Sequence, residues 1–117
     1  MRIYAPITVA ELSELLAGGT WSPEVSFVAS AEFLEEHHDL DEEESEYFLT
    51  LQAAHEALRD DTAGLVLVVE SESIEQISKS DIECVFRCTI GEDDEDIDLA
   101  WFGPTELDLQ INEWQAN

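Results

Sequence analysis

Two small sets of residues in this 117-residue chain are of types that could do chemistry. The first lies in EEHHDLDEEESEYF, residues 35–48, where His37 and His38 adjoin Asp39 and Asp41, followed by Glu42, Glu43, Glu44 and Glu46. Imidazole and carboxylate together can hold a divalent transition metal, so His37, His38, Asp39 and Asp41 are the candidate ligands. Against this, adjacent histidines on a helix point about 100° apart and seldom reach one ion. Residues 93–98, DDEDID, lack the glycine and distal Glu of a calcium loop. The second set is Cys84 and Cys88 in IECVFRCTI. On one face of a strand they would lie roughly 13 Å apart at about 3.3 Å per residue. That is too far for a disulfide, which needs Cα atoms within about 7 Å. A nucleophilic thiol also needs a histidine and an electropositive surround, so buried free thiols are the reading adopted.

No glycine-rich phosphate loop, nucleophile elbow, HExxH or CxxC pair is present, and neither catalytic residues nor a cofactor are expected. Charge dominates instead. Twenty-nine acids against four bases leave a net −25. Such a field repels nucleic acid and anionic lipid, so neither is an expected partner; a basic protein or multivalent cations would be attracted. A halophilic or acid-biased cytoplasm would yield the same composition with no partner at all. Eleven acids fall in residues 35–61 and nine in 92–117. The candidate interaction surface is therefore Glu42, Glu43, Glu44 and Glu46 together with Asp93, Asp94, Glu95 and Asp96. If the two clusters shared a surface they could mimic nucleic-acid phosphates; otherwise they are solvated segments.

The elements that must position these residues can be read in order. RIYA (2–5) forms a strand, and Thr8 with Glu11 three residues on has capping-box spacing for a helix ended by Gly18 and Gly19. VSFVAS (25–30) is a second strand, and strand–helix–strand in this space predicts a right-handed parallel crossover. Ser30 caps a short helix through AEFLEEHH. Asp39, with Glu42 reaching back, caps a long helix ending near residue 61, whose stripe is Tyr47, Leu51, Ala54 and Leu58, flanked by Phe48 and His55. LVLVVE (65–70) suits a central strand covered on both faces. A helical turn is expected around Ile74 and Ile77. In 81–90, Ile82, Cys84, Phe86, Cys88 and Ile90 face one way, and IDLAWF (97–102) completes a hairpin. Residues 105–115 fit either periodicity, but Pro104 favours a helix. Tyr47, Phe86 and Trp101 are expected in the core, whereas Trp21 and Trp114 either plug its edge or form an exposed patch.

RIYAP with Thr8, EEESEY with Ala53-Ala54 and Ala57-Leu58 downstream, and the late LAWF…TEL resemble a small actinobacterial family of short acidic proteins with no assigned activity. The likeness departs in the middle third, where SKSDIECVFRCT replaces alanine- and arginine-rich segments. It implies a bacterial cytoplasmic origin and brings no functional residues with it. The expected architecture is a single α/β domain spanning 1–117, tending to α+β: a mixed sheet of about five strands with a parallel β-α-β start, a C-terminal antiparallel hairpin and packed helices. A two-layer ferredoxin-like sandwich is the alternative. The longest apolar run, Leu65–Val69, is too short to span a bilayer, and Glu11 and Glu14 interrupt any signal-peptide pattern. A cytoplasmic location is expected. The expected function is a non-enzymatic binding or regulatory module that uses its acidic surface on a basic protein partner. Its alternatives are a small enzyme or ligand-binding protein with an unrecognised pocket, or a divalent-metal-binding protein.

Overall fold

Capping chemistry sets most helix starts. The computed structural model describes residues 1–59, 63–90 and 96–116. Strand β1 (Arg2–Ile7) leads into α1 (Val9–Leu16), where the Thr8 hydroxyl accepts from Glu11 N–H and the Glu11 carboxylate accepts from Thr8 N–H, both at 3.1 Å. The helix stops at Ala17, and Gly18 follows with φ at 104°, a left-handed turn that only glycine enters cheaply. Strand β2 (Phe27–Val28) is two residues long. Ser30 caps α2 (Ala31–Glu36), and Asp41 caps α3 (Glu42–Ala57) in a reciprocal box with Glu44. The cap therefore lies two residues beyond the expected Asp39, and Glu42, Glu43 and Glu44 fill the first turn, where the helix dipole favours negative charge.

The remaining elements are β3 (Ala63–Glu70), a single 3₁₀ turn (Lys79–Asp81), β4 (Ile82–Ile90), β5 (Ile97–Phe102) and α4 (Leu107–Ala116). The expected turn around Ile74 and Ile77 is absent. Ile77 instead is buried, and its backbone exchanges two hydrogen bonds with Trp21. The last segment is a helix, with Leu107 and Ile111 buried and Leu109 left exposed.

The five strands lie in the order β2-β1-β3-β4-β5, and every neighbouring pair is antiparallel. This overturns the parallel start. A right-handed crossover follows only if the chain re-enters the sheet in its original direction. Residues 17–26, tethered by the Trp21–Ile77 bridge, give it room to return reversed. The β4–β5 hairpin and the five-strand α+β architecture are as expected.

Two apolar cores cover opposite faces of the sheet. Ile3, Leu65, Leu67, Val69 and Val85 meet α1 and α4 on one face; Tyr4, Val66, Val68, Cys84 and Cys88 meet α3 on the other. β3 is thus buried on both sides, as its continuous apolar run implies. Helices on both faces also exclude the two-layer sandwich. The register slips between Val68 and Val69, which pair with Cys84 and Ile82 and leave Glu83 as an extra residue. Such a bulge turns Ile82 to the α1/α4 face while Cys84 stays on the α3 face, against their expected common side.

Candidate functional site

α3 packs against the sheet through Ser45, Leu49, Ala53, Ala54 and Leu58, a face of mostly small residues that allows a close approach. Thr50 is buried beside them, its hydroxyl donating to the Glu46 carbonyl at 2.7 Å. Of the expected stripe, Ala54 and Leu58 are buried, Leu51 is half-buried and Tyr47 is not, so the inward face is rotated towards Ser45, Leu49 and Ala53. Tyr47 points outward and is 57% exposed. At the far side of the same sheet face, Trp101 on β5 is 59% exposed. Neither is a core residue, in contrast to expectation; of the three aromatics, only Phe86 packs partly against the α3-side core.

Between α3 and the β4–β5 hairpin runs a groove of about 460 Å³. Tyr47 and Trp101 form its walls, Tyr4, Cys84, Phe86 and Leu99 lie along its floor, and Glu43 and Glu46 line it from α3. The Trp101 ring lies over Gly103, where no side chain stands in its way. A Cβ there would come within 2.8 Å of Trp101 Cη2. A second groove of about 510 Å³ opens towards α2, lined by Leu34, Leu40, Asp41, Glu42 and Glu70 among others. Arg2, Tyr4 and Glu46 belong to both. Arg2 donates to Glu46 and stands 3.8 Å from Glu83, so an ion pair marks the saddle where the grooves meet.

Electrostatics at this junction follow from partial burial. Desolvation opposes the Arg2 charge, yet Glu46, Tyr4 and Glu83 together raise its pKa. Burial pushes the Tyr4 hydroxyl up to about 12, with Glu46 adding to the effect. It pushes the Cys84 and Cys88 thiols up to about 11. Both cysteines are free and buried, as expected from their spacing. A protonated thiol is a poor nucleophile, so the groove floor offers binding surface and hydrogen-bonding groups more readily than covalent catalysis.

The expected metal candidates are not brought together. His37 ends α2, its ring 4.6 Å from that of Phe33 and 4.7 Å from that of Phe48. His38 Nδ1 lies 3.3 Å from the Glu35 carbonyl. Asp41 is occupied as a helix cap, its Oδ1 accepting from Glu44 N–H at 2.8 Å. Asp39 is exposed. Among the described residues no group of three or more His, Cys, Asp or Glu side chains converges to hold a metal ion.

The acidic candidates separate. Glu42, Glu43, Glu44 and Glu46 lie on the first turns of α3, at the sheet end that carries Arg2 and Glu83. Asp96 precedes β5 beside the Ile90–Ile97 pair, at the other end of β4. Asp93, Asp94 and Glu95 fall outside the described residues. From Glu83 to Ile90 is roughly 23 Å of strand at about 3.3 Å per residue, so Asp96, the described member of the second candidate set, lies at the other end of the sheet from the α3 glutamates. Sequence reasoning missed the aromatic groove itself. Its one signal was that Tyr47 directly follows Glu46; Trp101, between Ala100 and Phe102, carried none.

The described residues form an α+β fold with an antiparallel sheet and an open, aromatic-walled groove on one face. Residues 1–81 match the model of a family of unknown function (DUF6912), and the chain belongs to that family. The matched segment contains Arg2, Tyr4, Glu43, Glu46 and Tyr47; the Cys84, Phe86, Leu99 and Trp101 side of the groove lies beyond it. No curated protein and no solved structure matches the chain. Among the described residues no helix is long and apolar enough to cross a membrane.

Proposed function

We propose that this protein is a binding module that takes a basic, partly apolar segment of a protein partner into the groove between α3 and the β4–β5 hairpin. The observation that carries the reading is the pair of exposed aromatics, Tyr47 and Trp101, flanking a groove lined by Glu43 and Glu46. Large aromatic side chains left in water are costly unless something covers them, and aromatic anchors dominate binding energy at protein interfaces. Their faces attract Lys and Arg, and the neighbouring carboxylates add to that attraction. The net charge of −25 steers a basic partner towards the protein and repels an acidic one. This narrows the acidic surface to one of its parts, the α3 end that adjoins apolar area.

The reading is tested with a fluorescent peptide of about eight residues alternating Lys and Val, long enough to span the six residues of β5. Saturable binding is expected. The Tyr47→Ala/Trp101→Ala double variant, with its charge unchanged, should bind about tenfold more weakly or worse. Equal affinity for wild type and double variant would show that only bulk charge attracts the peptide, and the reading would fail.

A further inference from the structure

β5 ends the sheet, and among the described residues its outer edge has no backbone partner. Each of its six residues is exposed or half-buried. In an antiparallel strand the N–H and C=O groups of alternate residues point to opposite sides, so half of this backbone bonds β4 and half faces outward. Such a row is a template for another strand. The opposite edge of the sheet offers little, since β2 is only two residues long.

Charge selects the occupant. Asp98 within β5 and Asp96 just before it are both exposed. A second copy of this chain would bring like charge against like, at −25 on each side. A cationic strand meets the opposite field. Alternation adds a side preference: Leu99 and Trp101 face the groove, while Asp98 and Ala100 face the other way. Arg87 stands opposite Ala100 on β4, so a cation fits best at the Asp98 end.

We infer that the partner binds as a sixth strand on the outer edge of β5: an extended segment alternating Lys or Arg with apolar residues. Its apolar side chains fall on the groove side of the sheet, against Leu99 and Trp101, and its cations lie towards Asp98 and Asp96. This rests on the reading of a basic partner in the groove and adds how the partner's backbone is held.

Hydrogen exchange with the Lys–Val peptide tests it. On saturation, the outward N–H groups of β5, every second residue between Ile97 and Phe102, should slow about tenfold or more, and the alternate ones should not change. The fully N-methylated peptide keeps the charge but lacks backbone donors, and it should bind about tenfold more weakly or worse. If both peptides bind equally and β5 exchange is unchanged while the Tyr47→Ala/Trp101→Ala variant still loses affinity, strand addition is overturned and the groove reading survives. Failure of the unmodified Lys–Val peptide to bind at all overturns both.

Discussion

Cys84 sits on the groove floor beneath the Trp101 wall, and its chemistry is set by burial. Desolvation raises it and Cys88 from 9.0 to about 11, and raises Tyr4 from 10.0 to about 12. For each group the folded pKa exceeds the unfolded one. Its contribution to stability is therefore fully present below the unfolded value and lost as pH rises through the folded value. Urea-unfolding stability should accordingly hold up to about pH 9 and fall between 9 and 11. In the native protein both thiols should also react with iodoacetamide about tenfold more slowly or worse than in urea. Native thiols that react as fast as unfolded ones would place Cys84 and Cys88 in water. The cysteines' fate was legible from alternation and spacing alone. That of Tyr47 and Trp101 was not, because an apolar residue in a periodic pattern reads as core whether or not a neighbour covers it. Which side of α3 packs inward was decided by Ser45, Leu49 and Ala53 beside the expected Ala54 and Leu58, and the small Ser45 and Ala53 weigh little in a hydrophobic count.

At the scale of elements, α3 shows how one local choice aims a surface. Its box joins Asp41 to Glu44 rather than Asp39 to Glu42, so the helix begins two residues later than expected. Both Asp-x-x-Glu pairs have the required spacing, and sequence has no means of choosing between them. Asp41→Ala should cost about 1 kcal/mol in urea-unfolding stability. Asp39→Ala, which removes an exposed side chain outside the box, should stay within about 0.5 kcal/mol of wild type; a larger loss there would place the cap at Asp39 after all. The direction of β2 was hidden for a different reason. The crossover rule presumes a parallel pair, and nothing in a ten-residue loop announces that the chain turns back. The β4 bulge was hidden as well, since alternation assigns Ile82 and Cys84 to one face unless the partner strand is known to slip. Existence and type of the main elements were legible because caps, glycines and apolar periodicity are local; the pairing that orders them is not.

Over the whole molecule, the described members of the two candidate acidic sets lie at opposite ends of one sheet. At the α3 end, acids adjoin exposed aromatic surface and a groove; at the other, Asp96 stands beside the start of an open edge strand. Part of the α3 cluster is spent on the helix start, and Glu46 pairs with Arg2. In the aromatic groove Glu46 is shared with Arg2, which lines the same groove, and Glu43 is the other α3 carboxylate that faces an occupant. The sum of the charge could be read from composition, but its partition could not, because that depends on where α3 lies relative to β5. A diffuse acidic field and a defined groove make different demands on the same partner. They are separated most directly by following backbone and indole resonances of the labelled protein as the Lys–Val peptide is added. Shift changes concentrated at Tyr47, Trp101, Glu43, Glu46 and β5, with α1 and α4 unmoved, are the predicted result. Small changes spread evenly over every exposed carboxylate, with Tyr47 and Trp101 no different from the rest, would contradict it.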